Sequence, residues 1–217
     1  MSWMDSLGSA AKPGKDLGPE ERSKIAKDLV TMSSFGAAAV TLAPIPGSDF
    51  ILVTSVQASM VGTVGRVYGR ELSLAQAKDV VIELAAVCGM GLIAQKGFAT
   101  LTKIIFPGLG GVLAAPYAFA VTYGMGHAAM AYFANKDFTK ETIKRVYEEA
   151  VAEGKRVFSK DRFDQFRKKK GAEVEDFARK QAADGGAGEG EEAAPVKKKK
   201  KTAAKKKKRA AAKRPEQ

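Results

Sequence analysis

From Ile104 to Asn135 the chain carries no formal charge. A helix on the surface of a water-soluble protein is not built that way, because its outer face needs polar side chains. The stretch must be enclosed, by other elements or by lipid. A helix over residues 111–133 is long enough to cross a bilayer, which takes about 20 residues. It is rich in Ala, Gly and Tyr, with Pro116 and His127 among them, whereas strongly inserting spans are rich in leucine. The central helix of a bundle, wrapped on all sides, has the same composition. Both placements fit the sequence.

The remaining segments read as helices with clear boundaries. Pro19-Glu20-Glu21 marks a start, since proline suits the first turn and acids favour the positive end of the helix dipole. Ala43-Pro-Ile-Pro-Gly-Ser-Asp49 is a break: two prolines and a glycine do not continue a helix. Pro44, Pro46 and Gly47 form the expected turn. Asp49 is placed to cap the next helix, a role worth about 1 kcal/mol. That helix, from about Phe50 to Tyr68, carries Val53, Val56, Met60, Val64 and Val67 on one face. Ser55, Ser59, Thr63, Arg66 and Arg70 fall on another.

Ser73-Leu-Ala-Gln76 has the form of a capping box and opens a third helix. Its apolar stripe is Ala77, Val80, Val81, Leu84 and Cys88. Pro107-Gly-Leu-Gly-Gly111 is a further break. A last helix begins near Thr139, with Ile143, Val146, Tyr147, Ala150, Val151, Val157 and Phe158 facing a core, and is expected to extend to Lys180. No stretch alternates with the period of a strand. The expected fold class is therefore all-α, a compact domain of about five to six helices with Ala/Gly-rich central helices. Residues 1–18 read as a flexible arm, 19–180 as the helical domain, and 181–217 as a disordered linker and polybasic tail.

Small residues recur at four-residue spacing. Gly65 and Gly69 form one pair; Ala120, Gly124 and Ala128 form a stripe. Such spacing lets helix backbones approach closely, so these residues are expected at helix contacts, within the chain or between copies in a homo-oligomer.

No residue set points to catalysis, a metal or a cofactor. Cys88 and His127 are the single cysteine and single histidine, and a metal site needs a cluster of such ligands. Cys88 stands in an apolar run and reads as a buried, inert thiol. Gly8-Ser-Ala-Ala-Lys-Pro-Gly14-Lys15-Asp16 is a poor phosphate loop. It has one residue too many before Gly14-Lys15, and Asp16 stands where a hydroxyl should hold magnesium. The reading is of a protein that is not an enzyme.

Charge is strongly segregated. The chain is +12, and residues 196–217 hold twelve of its cations against one acid. The cations are Lys197, Lys198, Lys199, Lys200, Lys201, Lys205, Lys206, Lys207, Lys208, Arg209, Lys213 and Arg214. Such a tail binds polyanions. It has no aromatic residue to stack on bases and no fixed side chains to read base edges. Its composition resembles the Ala/Lys-rich tails of linker-histone-like proteins. Against nucleic acid it would neutralise phosphates without regard to sequence and release counterions. Against an anionic membrane each basic residue near the surface contributes about 1 kcal/mol.

The Pro-Ile-Pro-Gly-Ser-Asp49 element belongs to a wider pattern. With it stand Gln57, Met60, Tyr68-Gly69-Arg-Glu-Leu-Ser73, Lys103-Ile-Ile-Phe-Pro107, Thr122-Tyr-Gly124 and Ala131-Tyr-Phe133. Over about residues 35–133 this resembles the bacterial domain of unknown function 697. The resemblance implies a helical domain that follows a GTPase domain or stands alone, is often membrane-associated, and has no catalytic residues to transfer. This chain departs by its lysine tail and by lacking a fused GTPase domain, so a GTPase partner would be a separate chain.

The expectation is a non-enzymatic, membrane-associated helical protein, an accessory to a separate GTPase, with its tail on anionic lipid. The amino terminus shows no signal peptide and is expected to begin in the cytoplasm; the expected location is the cytoplasmic side of a bacterial inner membrane. The alternative is a cytosolic adaptor or oligomerisation domain, nucleoid-associated and tethered to nucleic acid by the tail.

Overall fold

The computed structural model describes residues 17–42, 49–89, 110–134 and 139–185. Among them are six helices and no strand: α1 Pro19–Val40, α2 Asp49–Val67, α3 Leu74–Val87, α4 Gly110–Ala134, α5 Lys140–Val157 and α6 Lys160–Gly185. The all-α class follows.

Local signals set most of the starts. Pro19 opens α1, with Glu20 and Glu21 in its first turn. The capping box at α3 is formed: Gln76 N–H donates to Ser73 Oγ at 3.2 Å, and Ser73 N–H donates to Gln76 Oε1 at 2.9 Å. Thr139 caps α5, its Oγ1 accepting from Thr142 N–H at 3.2 Å. Each cap satisfies a helix-end donor that would otherwise lack a partner.

The uncharged helix α4 is the centre of the bundle. It packs most extensively on α5 and α1, and also on α2 and α3. From Ala118 to Met130 every residue is buried except Val121 and His127, which are half-buried. Enclosure by protein is how this fold accommodates a stretch without charges. No helix among the described residues is long and apolar enough to cross a membrane.

The core runs through all six helices. Val30, Phe35, Leu52, Val56, Met60, Val64, Leu84, Phe119, Met125 and Ile143 are almost wholly shielded from water. One end is aromatic. Phe35 lies 4.7 Å from Phe119 and 5.8 Å from Phe166, ring centroid to ring centroid. Phe158 and Phe163 complete the group, 5.7 Å apart.

Three expectations need correction. The last helix does not run on to Lys180 as one piece. Phe158 turns into an extended conformation, and Ser159 starts a new helix by accepting from Phe163 N–H at 2.9 Å through its carbonyl. The break carries the Phe158 ring into the aromatic group, edge-on to Phe119 at 5.4 Å. Next, the face of α2 expected to be polar is not open throughout. Ser55 is buried, and Ser59 and Thr63 are half-buried, leaving Arg66 exposed. The neighbouring Gln57 is also buried and donates across to Thr122 Oγ1 of α4 at 3.3 Å.

Lastly, Gly69 is not part of a helix-packing pair. It follows α2 with φ +76°, a left-handed conformation that glycine adopts without the penalty a Cβ would bring. Arg70 N–H donates to Gly65 O at 2.8 Å and Gly69 N–H to Arg66 O at 3.0 Å. That pair of bonds is the Schellman terminator. Gly69 stops the helix, and a Cβ there would meet nothing within 4 Å.

Candidate functional site

The expected packing residues can be placed one by one. Gly65 sits under the returning chain and against α4; a Cβ there would lie 3.2 Å from Leu72 and 3.3 Å from the Phe133 ring. Ala120 faces Gly154 of α5, whose Cβ would come within 3.0 Å of the Ala120 backbone. Gly124 is tighter. A Cβ would fall 2.4 Å from Val151 Cγ2 and 3.0 Å from the Tyr147 ring. Ala128 is fully buried. Close approach of α4 and α5 is thus built on Ala120, Gly124 and Gly154. Sequence reasoning passed over Gly126, which meets α1 on the opposite side: a Cβ there would lie 2.5 Å from both methyls of Val30. Its position two residues beyond Gly124, about 200° around the helix, is the signal that could have revealed it.

Asp49 is the first residue of α2. Pro44, Pro46 and Gly47 lie outside the described residues, as do all twelve cations of the polyanion-binding tail from Lys197 to Arg214.

Cys88 is buried at the end of α3. Burial, aided by the nearby Glu148 carboxylate, pushes its thiol up to about 11, so it stays protonated and unreactive at neutral pH. His127 packs against Tyr123, 4.5 Å between ring centres with the rings tilted by 42°. Its Nε2 is buried and has no hydrogen-bond partner among the described residues. Burial lowers its pKa; Lys27 of α1 lowers it further, while Glu153 of α5 pulls the other way. A groove between the end of α1 and α6 has a volume of about 530 Å³. Leu42 and Val174 line it together with the charged residues Asp164, Arg167, Lys168 and Glu175. No group of three or more His, Cys, Asp or Glu able to hold a metal occurs among the described residues.

His127 yields a pH prediction with a definite sign. Its folded pKa lies below the ordinary 6.5, so between those values the unfolded chain binds more protons than the native one. The contribution of neutral His127 is therefore complete above pH 6.5 and declines as pH falls through that value, levelling at the folded pKa. Urea denaturation at pH 7.5 and 5.5 is expected to show a loss of midpoint in acid, reduced in His127→Gln. An equal loss in the two proteins would refute it.

Charge matters more at the junction of α5 and α6. Between Lys155 and Lys169 stand seven cations against two acids. Lys160 is engaged by Asp164 at 2.7 Å, and Arg162 and Arg167 lie over the Phe35 and Phe163 rings at 5.7 and 6.0 Å. The basic residues of this junction are less visible in sequence than the tail, because they are divided between two helices.

The family pattern described as domain of unknown function DUF697 matches residues 14–156, well over half of the chain. The chain belongs to the DUF697 family. The match is wider than the motif-based span of 35–133. It takes in α1 to α4 and all of α5 except its last residue, and leaves out α6 and the lysine tail. No curated protein and no solved structure matches the chain. The DUF697 assignment carries no catalytic or ligand-binding residues with it.

Proposed function

We propose that this DUF697 protein is a non-enzymatic, peripheral membrane protein, held on anionic lipid by its tail and acting as an accessory to a separate GTPase. The observation that carries the reading is the separation of charge: twelve cations and one acid in residues 196–217 of a chain whose net charge is +12. The helical body is close to neutral and already buries its uncharged helix, so attraction to a surface is assigned to the tail. The GTPase partner rests on the family resemblance alone. The location that follows is the cytoplasmic face of a bacterial membrane.

The test uses the full chain and a variant with the twelve tail cations replaced by glutamine. Each is mixed with phosphatidylcholine vesicles, with and without phosphatidylglycerol. With about 1 kcal/mol per basic residue at the surface, loss of even three lipid-bound cations lowers partitioning on the order of 100-fold. Raised salt should release the unmodified protein, since such attraction is screened. Equal partitioning of the two proteins would sink the proposal. Tighter capture by duplex DNA than by anionic vesicles would support the nucleic-acid tether instead.

A further inference from the structure

We propose that α6 is a strap: it releases from α1 and α2 as a unit, about the joint at Phe158-Ser159, while the DUF697 body of α1 to α5 stays folded. The inference goes beyond the tail and does not depend on what the tail binds.

The joint suits such a motion. The family pattern stops at residue 156, before α6 begins. Two residues separate α5 from α6, and Phe158 is extended. Phe158 N–H donates to Gly154 O at 3.0 Å and closes α5; Phe163 N–H donates to Ser159 O at 2.9 Å and opens α6. A rotation between Phe158 and Ser159 keeps both of those bonds, because neither crosses the joint.

The seat of α6 is firm at two places and slack between them. Phe163 and Phe166 are buried at one, and Val174, Phe177 and Ala178 at the other. Phe163 and Val174 are eleven residues apart, as are Phe166 and Phe177, so both sets lie on one face, three turns apart. From Arg167 to Glu173 no residue is buried. Gly171 and Ala172 share with Ala39 and Leu42 the groove of about 530 Å³. A Cβ on Gly171 would meet nothing within 4 Å. Dispersion attraction needs partner atoms in reach, so the middle turns add little to the hold. The ion pairs of Lys160 with Asp164, Lys170 with Glu173 and Lys180 with Asp176 run within α6 and survive its release. α4, in contrast, is enclosed by four helices. Elements with few buried contacts open locally at less cost than the whole fold. Release uncovers the α6 side of Phe35. It also lengthens the tether between the body and the lysine tail, which follows α6 in the chain, by up to about 40 Å, the length of 26 helical residues.

The experiment is amide exchange of the full chain, followed by mass spectrometry in water and in low urea. In the unmodified protein, protection over residues 163–178 should be at least about tenfold lower than over 118–130. It should also fall less steeply with urea, because opening α6 exposes less surface than unfolding the bundle. Ile143→Val is a mild change at a fully buried position of α5. It should lower the protection of 118–130 by about fivefold and leave 163–178 unchanged, since α5 is packed both before and after α6 opens. Gly171→Ala should raise the protection of 163–178 by about fivefold, through helix propensity at a position with room. Equal protection with equal urea dependence in the two regions overturns the proposal, as does an equal loss in both from Ile143→Val. Lower protection over 163–178 in Gly171→Ala overturns the slack seat on which it rests.

Discussion

Replacing Phe35 by alanine is expected to lower the stability of the body by about 3–5 kcal/mol, the range for truncating a buried aromatic residue. Phe35 is 3% exposed near the end of α1. Its ring meets Phe119 of α4 at 4.7 Å, Phe166 of α6 at 5.8 Å, and Phe158 and Phe163 at 6.4 Å each. The Arg162 guanidinium covers it at 5.7 Å. One side chain thus joins the first helix, the central helix and the α5–α6 junction. Its loss leaves a cavity at a place where three elements meet, and a domain of ordinary stability holds only about 5–15 kcal/mol in total. Because α6 packs mainly on α1 and α2, residues 163–178 should lose amide-exchange protection before the rest of the bundle. Urea unfolding gives the global cost. A midpoint unchanged from the parent would show that the aromatic group is not what fastens α6.

The boundaries legible in the sequence are those written in local chemistry. Ser73 and Gln76 reveal the start of α3 because each side chain bonds the other's backbone, a short-range event that four residues specify. The α5–α6 break is different. No proline or glycine stands at Phe158-Ser159, so the apolar stripe of α5 reads as unbroken in sequence; the chain turns because the Phe158 ring is worth burying among Phe35, Phe119 and Phe163. That depends on Phe35, more than a hundred positions away, and on Phe119 in another helix. The Gly65/Gly69 pair was ambiguous for another reason. Two glycines four apart look alike whether both lie in a helix or the second lies just past its end, and only the positive φ of Gly69 decides. Of the candidate site, the tail could be read as a polycation from its charge alone, but its partner is not encoded there. The junction cations were hidden by the missed break.

Replacing Gly124 by leucine is expected to cost about 3 kcal/mol, at the upper end of what overpacking a core ordinarily costs. Two effects oppose each other at this position. Glycine inside a helix is less favourable than alanine by up to about 1 kcal/mol, so a Cβ would help α4 taken alone. The native packing forbids it: a Cβ at Gly124 would lie 2.4 Å from Val151 Cγ2 and 3.0 Å from the Tyr147 ring. Val151 is β-branched and has few rotamers in a helix, and Tyr147 is buried, so neither can yield cheaply. α4 and α5 would have to separate, and interiors packed like crystals transmit such a shift. Gly124→Ala should therefore destabilise, by about 1–2 kcal/mol, despite its better propensity. Val151→Ala in the same chain should recover at least half of that loss, because it removes the nearest methyl. Urea midpoints for the two single variants and the double variant supply the coupling directly. A Gly124→Ala protein more stable than its parent would mean that propensity outweighs contact, and that the small residues of α4 do not set its distance from α5.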